Sequence, residues 1–288
     1  MSQYRGRFAP SPTGELHFGS LVAALASFLD AKAQHGRWLL RIEDIDPPRE
    51  QPGASGKILE QLQLLGFVAD EPVLWQRQRL AAYEAAVSDL LRRGHAFECR
   101  CSRSDLGPAG IHLGRCRSGT GQKRAAAIRV RAPALRLGFI DRIQGAYSQQ
   151  LDRDVGDFVI RRADGLYAYQ LAVVVDDAHQ QITDVVRGSD LLDSTPRQIW
   201  LQRCLGLPTP RYAHLPLALD KDGNKLSKQS FAPALPSTSP QTSLARALAF
   251  LGQMPVPEGA RIAGDDSLAA KVWSIERIPR ESRVEWAV

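Results

Sequence analysis

The chain has 288 residues, 44% hydrophobic and 24% charged; this is a globular balance, which excludes a disordered or fibrous chain and allows one large domain or two modest ones. No stretch has the apolar length of a membrane span, and the start, MSQYRGRFAP, lacks a signal-peptide core, so a cytoplasmic protein with no membrane partner is the expectation. A net charge of +6 and a pI of about 9.3 suit a polyanionic partner, and suit equally a basic surface with no such role.

Arg5 to Ala9 reads as a strand, PSPTGELHFGS as a Gly/Pro-punctuated turn, and LVAALASFLDAKAQHG as a helix that Gly36 stops. RWLLRI, Arg37 to Ile42, follows as a buried strand. Such a βαβ unit predicts the α/β class, with a Rossmann-like doubly wound parallel sheet. Two further helices fit Lys57 to Leu65 and Arg77 to Arg93. From His95 to about Gln150 the pattern breaks into short alternating runs such as AAIRVRAP, which predicts an inserted, partly β subdomain over 95–150. Regularity returns with FVIRRADG, YAYQLAVVVDDA and ITDVVRG, then a helix through Gln198 to Leu205. After Lys228 the Pro/Ser-rich APALPSTSPQTS reads as a linker, with LARALAFLG and SLAAKVW as short helices beyond it. The expected division is a body over 1–230 carrying the insertion, then a short helical C-terminal region over 231–288.

Three segments carry chemistry. The loop Pro10 to Ser20 sets Gly14, His17 and Gly19 between a strand and a helix N-terminus, where free N–H groups and the helix dipole favour an anion. An ordinary strand–helix turn with an exposed histidine would look similar. Far along the chain, DKDGNKLSKQS places Lys225 and Lys228 around Ser227. Lysines three apart beside a hydroxyl can neutralise a pyrophosphate leaving group, although a solvated basic loop has the same composition. The third segment is C-x-C-x10-H-x3-C: Cys99, Cys101, His112 and Cys116, with Cys204 standing apart. Thiolates with an imidazole suit a closed, structural tetrahedral Zn2+ site, the alternative being three reduced thiols in a loop.

HFGS (His17 to Ser20) resembles the HIGH motif of class I aminoacyl-tRNA synthetases, and KLSKQ (Lys225 to Gln229) resembles their KMSKS motif. RFAPSPTGELHFGS, LLRIEDID and YQLAVVVDD…ITDVVRGSDLL are similar to the glutamyl branch, and the likeness spans roughly residues 5 to 230. Ser20 replaces the last residue of HIGH, and His112 stands where the family usually has tyrosine. The resemblance implies ATP binding with Mg2+ at Pro10, His17, Gly19, Ser20 and Lys228, with His17, Lys225 and Lys228 in catalysis. It also implies structural zinc, and binding of L-glutamate by Arg7, Ser11, Glu43, Tyr169 and Arg187. Glutamate offers two carboxylates and one ammonium, so chemistry assigns Glu43 to the ammonium and Arg7, Arg187 and the Tyr169 hydroxyl to the carboxylates. Without the resemblance, Glu43 would read as a carboxylate at a strand end.

About sixty residues follow Lys228, and a compact chain of this length is roughly 50 Å across. That is too small to hold both ends of a tRNA. This, with the C-x-C…C segment and FVIRRADGLYAYQLAVVVDD, resembles the glutamyl-Q tRNA(Asp) synthetases, whose members place glutamate on the queuosine base in the anticodon loop of tRNA(Asp). The expectation is therefore a monomeric ligase with tRNA(Asp) as partner. Two other readings stand beside it: an ordinary glutamyl-tRNA synthetase of reduced length that charges tRNA(Glu), and a non-catalytic RNA-binding relative.

Overall fold

The computed structural model describes residues 3–106, 111–112, 125–219, 239–256 and 266–286. In chain order the first half holds β1 (Arg5–Phe8), α1 (Phe18–Lys32), β2 (Arg37–Ile42), α2 (Ala54–Leu64), β3 (Leu74–Trp75), α3 (Leu80–Arg92), β4 (Ala96–Cys99) and β5 (Ala127–Val130). The second holds β6 (Arg136–Asp141), β7 (Gly145–Gln150), β8 (Phe158–Arg161), α4 (Tyr169–His179), β9 (Asp184–Gly188), α5 (Thr195–Leu205) and β10 (Arg211–Leu215). Then come β11 (Leu217–Leu219), α6 (Pro240–Phe250), α7 (Asp266–Val272) and β12 (Arg283–Glu285).

β1, β2 and β3 pair in parallel, with Arg7 opposite Leu39. β9 and β10 form a second parallel ladder. Thr183 N donates to Arg5 O at 3.0 Å, which sets β9 beside β1. The strand sequence across the molecule is thus β3-β2-β1-β9-β10, the doubly wound arrangement that the βαβ pattern predicts. Side chains alternate between its faces. Trp38, Leu40, Ile42, Val186, Ala213 and Leu215 enter the core under α1, α6 and α7. Leu39, Val185 and Tyr212 enter the other core, under α3, α4 and α5.

α1 is enclosed on several sides, and Leu21, Leu25 and Leu29 are fully buried; each such leucine is worth about 2–5 kcal/mol against alanine. It begins at Phe18, three residues before the apolar periodicity, because the His17 side chain caps it by accepting from Ser20 N. It also ends at Lys32, before Gly36. The glycine serves the next strand instead: a Cβ there would lie 2.6 Å from both Tyr4 O and Tyr4 Cβ. Likewise α3 starts at Leu80 rather than Arg77, after a short turn over Gln76–Arg79, and α5 starts at Thr195 rather than Gln198.

The segment over 95–150 contributes β4 to β7. β4 and β5 are antiparallel, and β8, which lies past residue 150, completes their sheet. The β6–β7 hairpin leans on β10, with Arg142 N donating to Tyr212 O at 2.9 Å. Part of the supposed linker is helical. α6 starts at Pro240 with Ser239 capping Thr242 N at 3.2 Å, while 232–238 lies outside the described residues. The last part of the chain is also not purely helical, since β12 pairs in parallel with β11. Among the described residues, no helix is long and apolar enough to cross a membrane.

Candidate active site

Arg7, Arg41 and Glu43 share one phase of the pleat across β1 and β2 and face α4. Glu43 lies just past β2 and is fixed there by its backbone N–H, which donates to Pro10 O at 3.0 Å. α4 supplies Tyr169 at its first residue and Asp177 two turns later. Arg7 reaches Asp177 through Nε at 3.1 Å, and Arg41 reaches the same carboxylate at 2.7 Å. Arg41 also meets Glu43 at 3.3 Å and Gln180 Oε1 at 2.9 Å. On β9, Arg187 donates to the Tyr169 hydroxyl at 3.2 Å and to Thr195 Oγ1 at 2.8 Å. Its Nε donates to His214 Nε2 at 3.1 Å.

These groups are buried, so their charges must balance locally. Burial pushes the Glu43 carboxyl above its ordinary pKa, with Arg41 and Arg7 pulling it back. Burial also acts on Asp177, yet Arg7 and Arg41 outweigh it and hold that carboxyl below its ordinary value. The Tyr169 hydroxyl is pushed up by burial and stays protonated, Arg187 opposing the shift. Arg7, Arg41 and Arg187 stand against Glu43, Asp177 and, behind His214, Asp141. The structure thus gathers Arg7, Glu43, Tyr169 and Arg187 into one cluster. Ser11 is exposed in the loop after β1, its carbonyl accepting from Thr13 N at 2.8 Å.

Arg41, Asp177, His214 and Asp141 join the cluster without any motif announcing them. Arg41 did leave a signal: an arginine in the buried strand RWLLRI requires a buried anion. The Asp177 and His214 partners come from distant segments, and spacing alone does not connect them.

The loop Pro10 to Ser20 connects β1 to α1. Gly14 has φ 131°, where glycine is favoured. Gly19 and Ser20 lie in the first turn of α1. His17 Nδ1 accepts from Ser20 N at 3.3 Å, so its ring proton sits on Nε2, 3.1 Å from Ser20 Oγ. Lys225 and Lys228 lie outside the described residues.

Cys99, Cys101 and His112 offer ligand atoms that all lie within 4.8 Å of one another. Cys99 Sγ and His112 Nε2 are 3.5 Å apart, close to the roughly 3.6 Å expected when a thiolate and an imidazole share tetrahedral zinc. His112 Nδ1 meets Asp157 Oδ2 at 2.9 Å, the carboxylate–histidine arrangement that aims the other ring nitrogen at a metal. The residues present therefore fit zinc. Cys116 lies outside the described residues, and Cys204 is buried elsewhere.

The model of the catalytic domain of class I tRNA synthetases (E and Q) matches residues 3–109 and 110–236. A glutamyl-Q tRNA(Asp) synthetase of Pseudomonas aeruginosa is 56% identical over 282 residues, covering 97% of this chain and 96% of its own length. The chain belongs to the glutamyl-Q tRNA(Asp) synthetase family of class I tRNA synthetases. It is a ligase. A glutamyl-Q tRNA(Asp) synthetase of Dechloromonas aromatica is 53% identical, with 98% of each chain covered. Among solved structures, a glutamate tRNA ligase from Elizabethkingia meningosepticum in complex with its amino acid aligns with a TM-score of 0.82. It shares 26% identity, over 98% of this chain and 67% of that one.

Proposed function

We propose that the chain activates L-glutamate with ATP and transfers it to the queuosine base in the anticodon loop of tRNA(Asp). The observation that carries the choice of acceptor is the 56% identity to the Pseudomonas aeruginosa glutamyl-Q tRNA(Asp) synthetase over nearly the whole of both chains. The buried cluster, with forked arginines that suit carboxylates and Glu43 that suits an ammonium, supports glutamate as the amino acid.

The reaction has two steps. The α-carboxylate of glutamate attacks the α-phosphorus of ATP, forming a C–O–P bond as the bond to pyrophosphate breaks. A queuosine ring hydroxyl then attacks the carbonyl carbon, an ester forms, and AMP leaves with the electron pair. Glu43 holds the ammonium, Arg7 and Arg187 hold the carboxylates with the Tyr169 hydroxyl, and Ser11 adds a hydrogen bond. Pro10, His17, Gly19 and Ser20 hold ATP at the head of α1, where the orphan N–H groups favour phosphate. Lys225 and Lys228 stabilise the charge that develops on pyrophosphate. Mg2+ bound with ATP supplies further neutralisation of the phosphates. No protein nucleophile takes part; rate comes from positioning and electrostatics. Cys99, Cys101, His112 and Cys116 hold one structural zinc.

Glutamylation of tRNA(Asp) with and without queuosine, beside tRNA(Glu), tests the acceptor. Queuosine-containing tRNA(Asp) should be labelled and the other two should be poor acceptors. Equal labelling of tRNA(Asp) lacking queuosine would remove the base as target, and periodate-protected 3′ ends on tRNA(Glu) would establish the ordinary synthetase. Glutamate-dependent ATP–pyrophosphate exchange should proceed without tRNA. Lys228→Ala should slow it by about ten-fold or more, with a smaller change in glutamate affinity.

A further inference from the structure

We propose that His214 and Asp141 are positioning residues for glutamate recognition, fixing the Arg187 guanidinium through one histidine tautomer. The inference rests on the proposed grip of Arg187 on a glutamate carboxylate.

An arginine side chain has five N–H donors and no acceptor. Its Nε–H points at His214 Nε2, so that nitrogen carries a lone pair and the single ring proton sits on Nδ1. Opposite Nδ1 stands Asp141 Oδ2, at 2.6 Å. The other carboxylate oxygen, Oδ1, is already committed to backbone: it accepts from Ile143 N at 3.0 Å, Gln144 N at 2.9 Å and His214 N at 3.1 Å. One oxygen is thus left for the imidazole, and it faces a donor. On the far side, Arg187 Nη2 donates to Thr195 Oγ1 at 2.8 Å and to Leu191 O at 3.4 Å. The Thr195 hydroxyl also lies 3.1 Å from His214 Nε2 and 3.2 Å from Leu191 O, and its proton can go to either with Nε2 still an acceptor.

Among the described residues, four of the five Arg187 donors are therefore taken, the fourth by the Tyr169 hydroxyl at Nη1. What remains is the outer edge of the fork, at Nη1. Tyr169 accepts from Nη1 and so keeps its own proton, which it can give to a carboxylate seated on that edge. The guanidinium is not free to swing; its direction is set from behind by the imidazole. The charged and titratable groups that bear on His214 are Asp141 from β6, Arg187 from β9 and Arg7 from β1. Tyr212 of β10 lies flat against its ring at 6.1 Å and Phe139 lies at 6.3 Å. Burial lowers the His214 pKa, Asp141 opposing the shift and Arg187 adding to it, so the neutral ring that this array needs is the one present at neutral pH.

Asp141→Asn is an isosteric test. Its amide oxygen would take the three backbone donors, turning the NH2 toward Nδ1. The ring proton would then move to Nε2 and face the Arg187 Nε–H, donor against donor. KM for glutamate in pyrophosphate exchange should rise about ten-fold or more, with KM for ATP unchanged and kcat less affected. His214→Gln puts a carbonyl oxygen near the place of Nε2 and should restore much of the glutamate affinity that His214→Ala loses. A folded Asp141→Asn protein with wild-type KM for glutamate overturns the proposal. Should that variant not fold, 15N spectra of wild-type His214 decide: protonated Nδ1 and bare Nε2 are expected, and a proton on Nε2 overturns it. Arg187→Lys separates the two readings. If it leaves KM for glutamate unchanged, the carboxylate grip itself is wrong. If it raises KM while Asp141→Asn does not, only the positioning role fails.

Discussion

Glu43 is held at both ends, its N–H by Pro10 O and its carboxylate by Arg41. A buried carboxylate placed this rigidly is suited to the substrate ammonium, and it must be ionised to serve. Because burial raises its pKa, with Arg41 and Arg7 opposing, Glu43 protonates at a higher pH than an exposed glutamate, whose pKa is about 4.3. The sign follows: as pH falls, the free enzyme loses this anion early and kcat/KM for glutamate drops. Glu43→Gln should lower kcat/KM by about 10–100-fold at neutral pH and leave only the acid limb that belongs to glutamate's own carboxylates. A Glu43→Gln profile of wild-type shape would refute the assignment. At this scale the sequence was half legible. Arg7, Glu43, Tyr169 and Arg187 could be placed through the synthetase resemblance, but Asp177 is 136 positions from Arg41, and nothing short of the fold pairs them.

Among the elements, the β4–β5–β8 sheet shows why spacing finds a candidate cluster and misses what orients it. C-x-C-x10-H names Cys99, Cys101 and His112 directly. Asp157, which turns His112, comes 45 residues later, just before β8. Its backbone N–H also donates to His112 O at 2.9 Å, and its Oδ1 accepts from Ala132 N at 2.8 Å. Gly156, at φ 66°, completes the junction: a Cβ there would lie 2.3 Å from Ile111 Cγ2 and 2.7 Å from His112 O. The zinc proposed at this site therefore depends on β8 as well as on the cysteine loop. One zinc per chain is expected after purification without added metal. Asp157→Ala should weaken zinc by about 10–100-fold in competition with a chromophoric chelator. An unchanged affinity would mean that Asp157 merely docks the loop.

Across the whole molecule, the α/β body was readable because α1 repeats its apolar residues at helical spacing and RWLLRI is a short, nearly continuous apolar run of the kind a strand buried on both faces shows. The parallel pair β11–β12 was not, since each strand is three residues long and they are far apart in sequence. Yet this pair reaches the head of α1, one part of the proposed ATP site. β11 ends at Leu219, where the chain runs on toward Lys225 and Lys228, and Trp286 N donates to Leu219 O at 2.8 Å. The Trp286 ring stacks on Phe18 at 6.3 Å with planes 7° apart, and meets Phe250 of α6 edge-on at 5.3 Å. Phe18 follows His17 and opens α1, so one residue braces β11 and the helix head that would receive phosphate. Trp286→Ala removes that brace without touching the arginine cluster. A half-buried tryptophan lost from such a contact should cost about 1–3 kcal/mol of stability, less than a fully buried one. The more telling expectation is selective: KM for ATP should rise by about three-fold or more while KM for glutamate holds, because misplacing a phosphate-binding group weakens the step it serves. Thermal unfolding and pyrophosphate-exchange kinetics on one preparation measure both. If stability falls while the two KM values stay at wild type, Trp286 is packing alone, and the ATP site is organised by α1 without it.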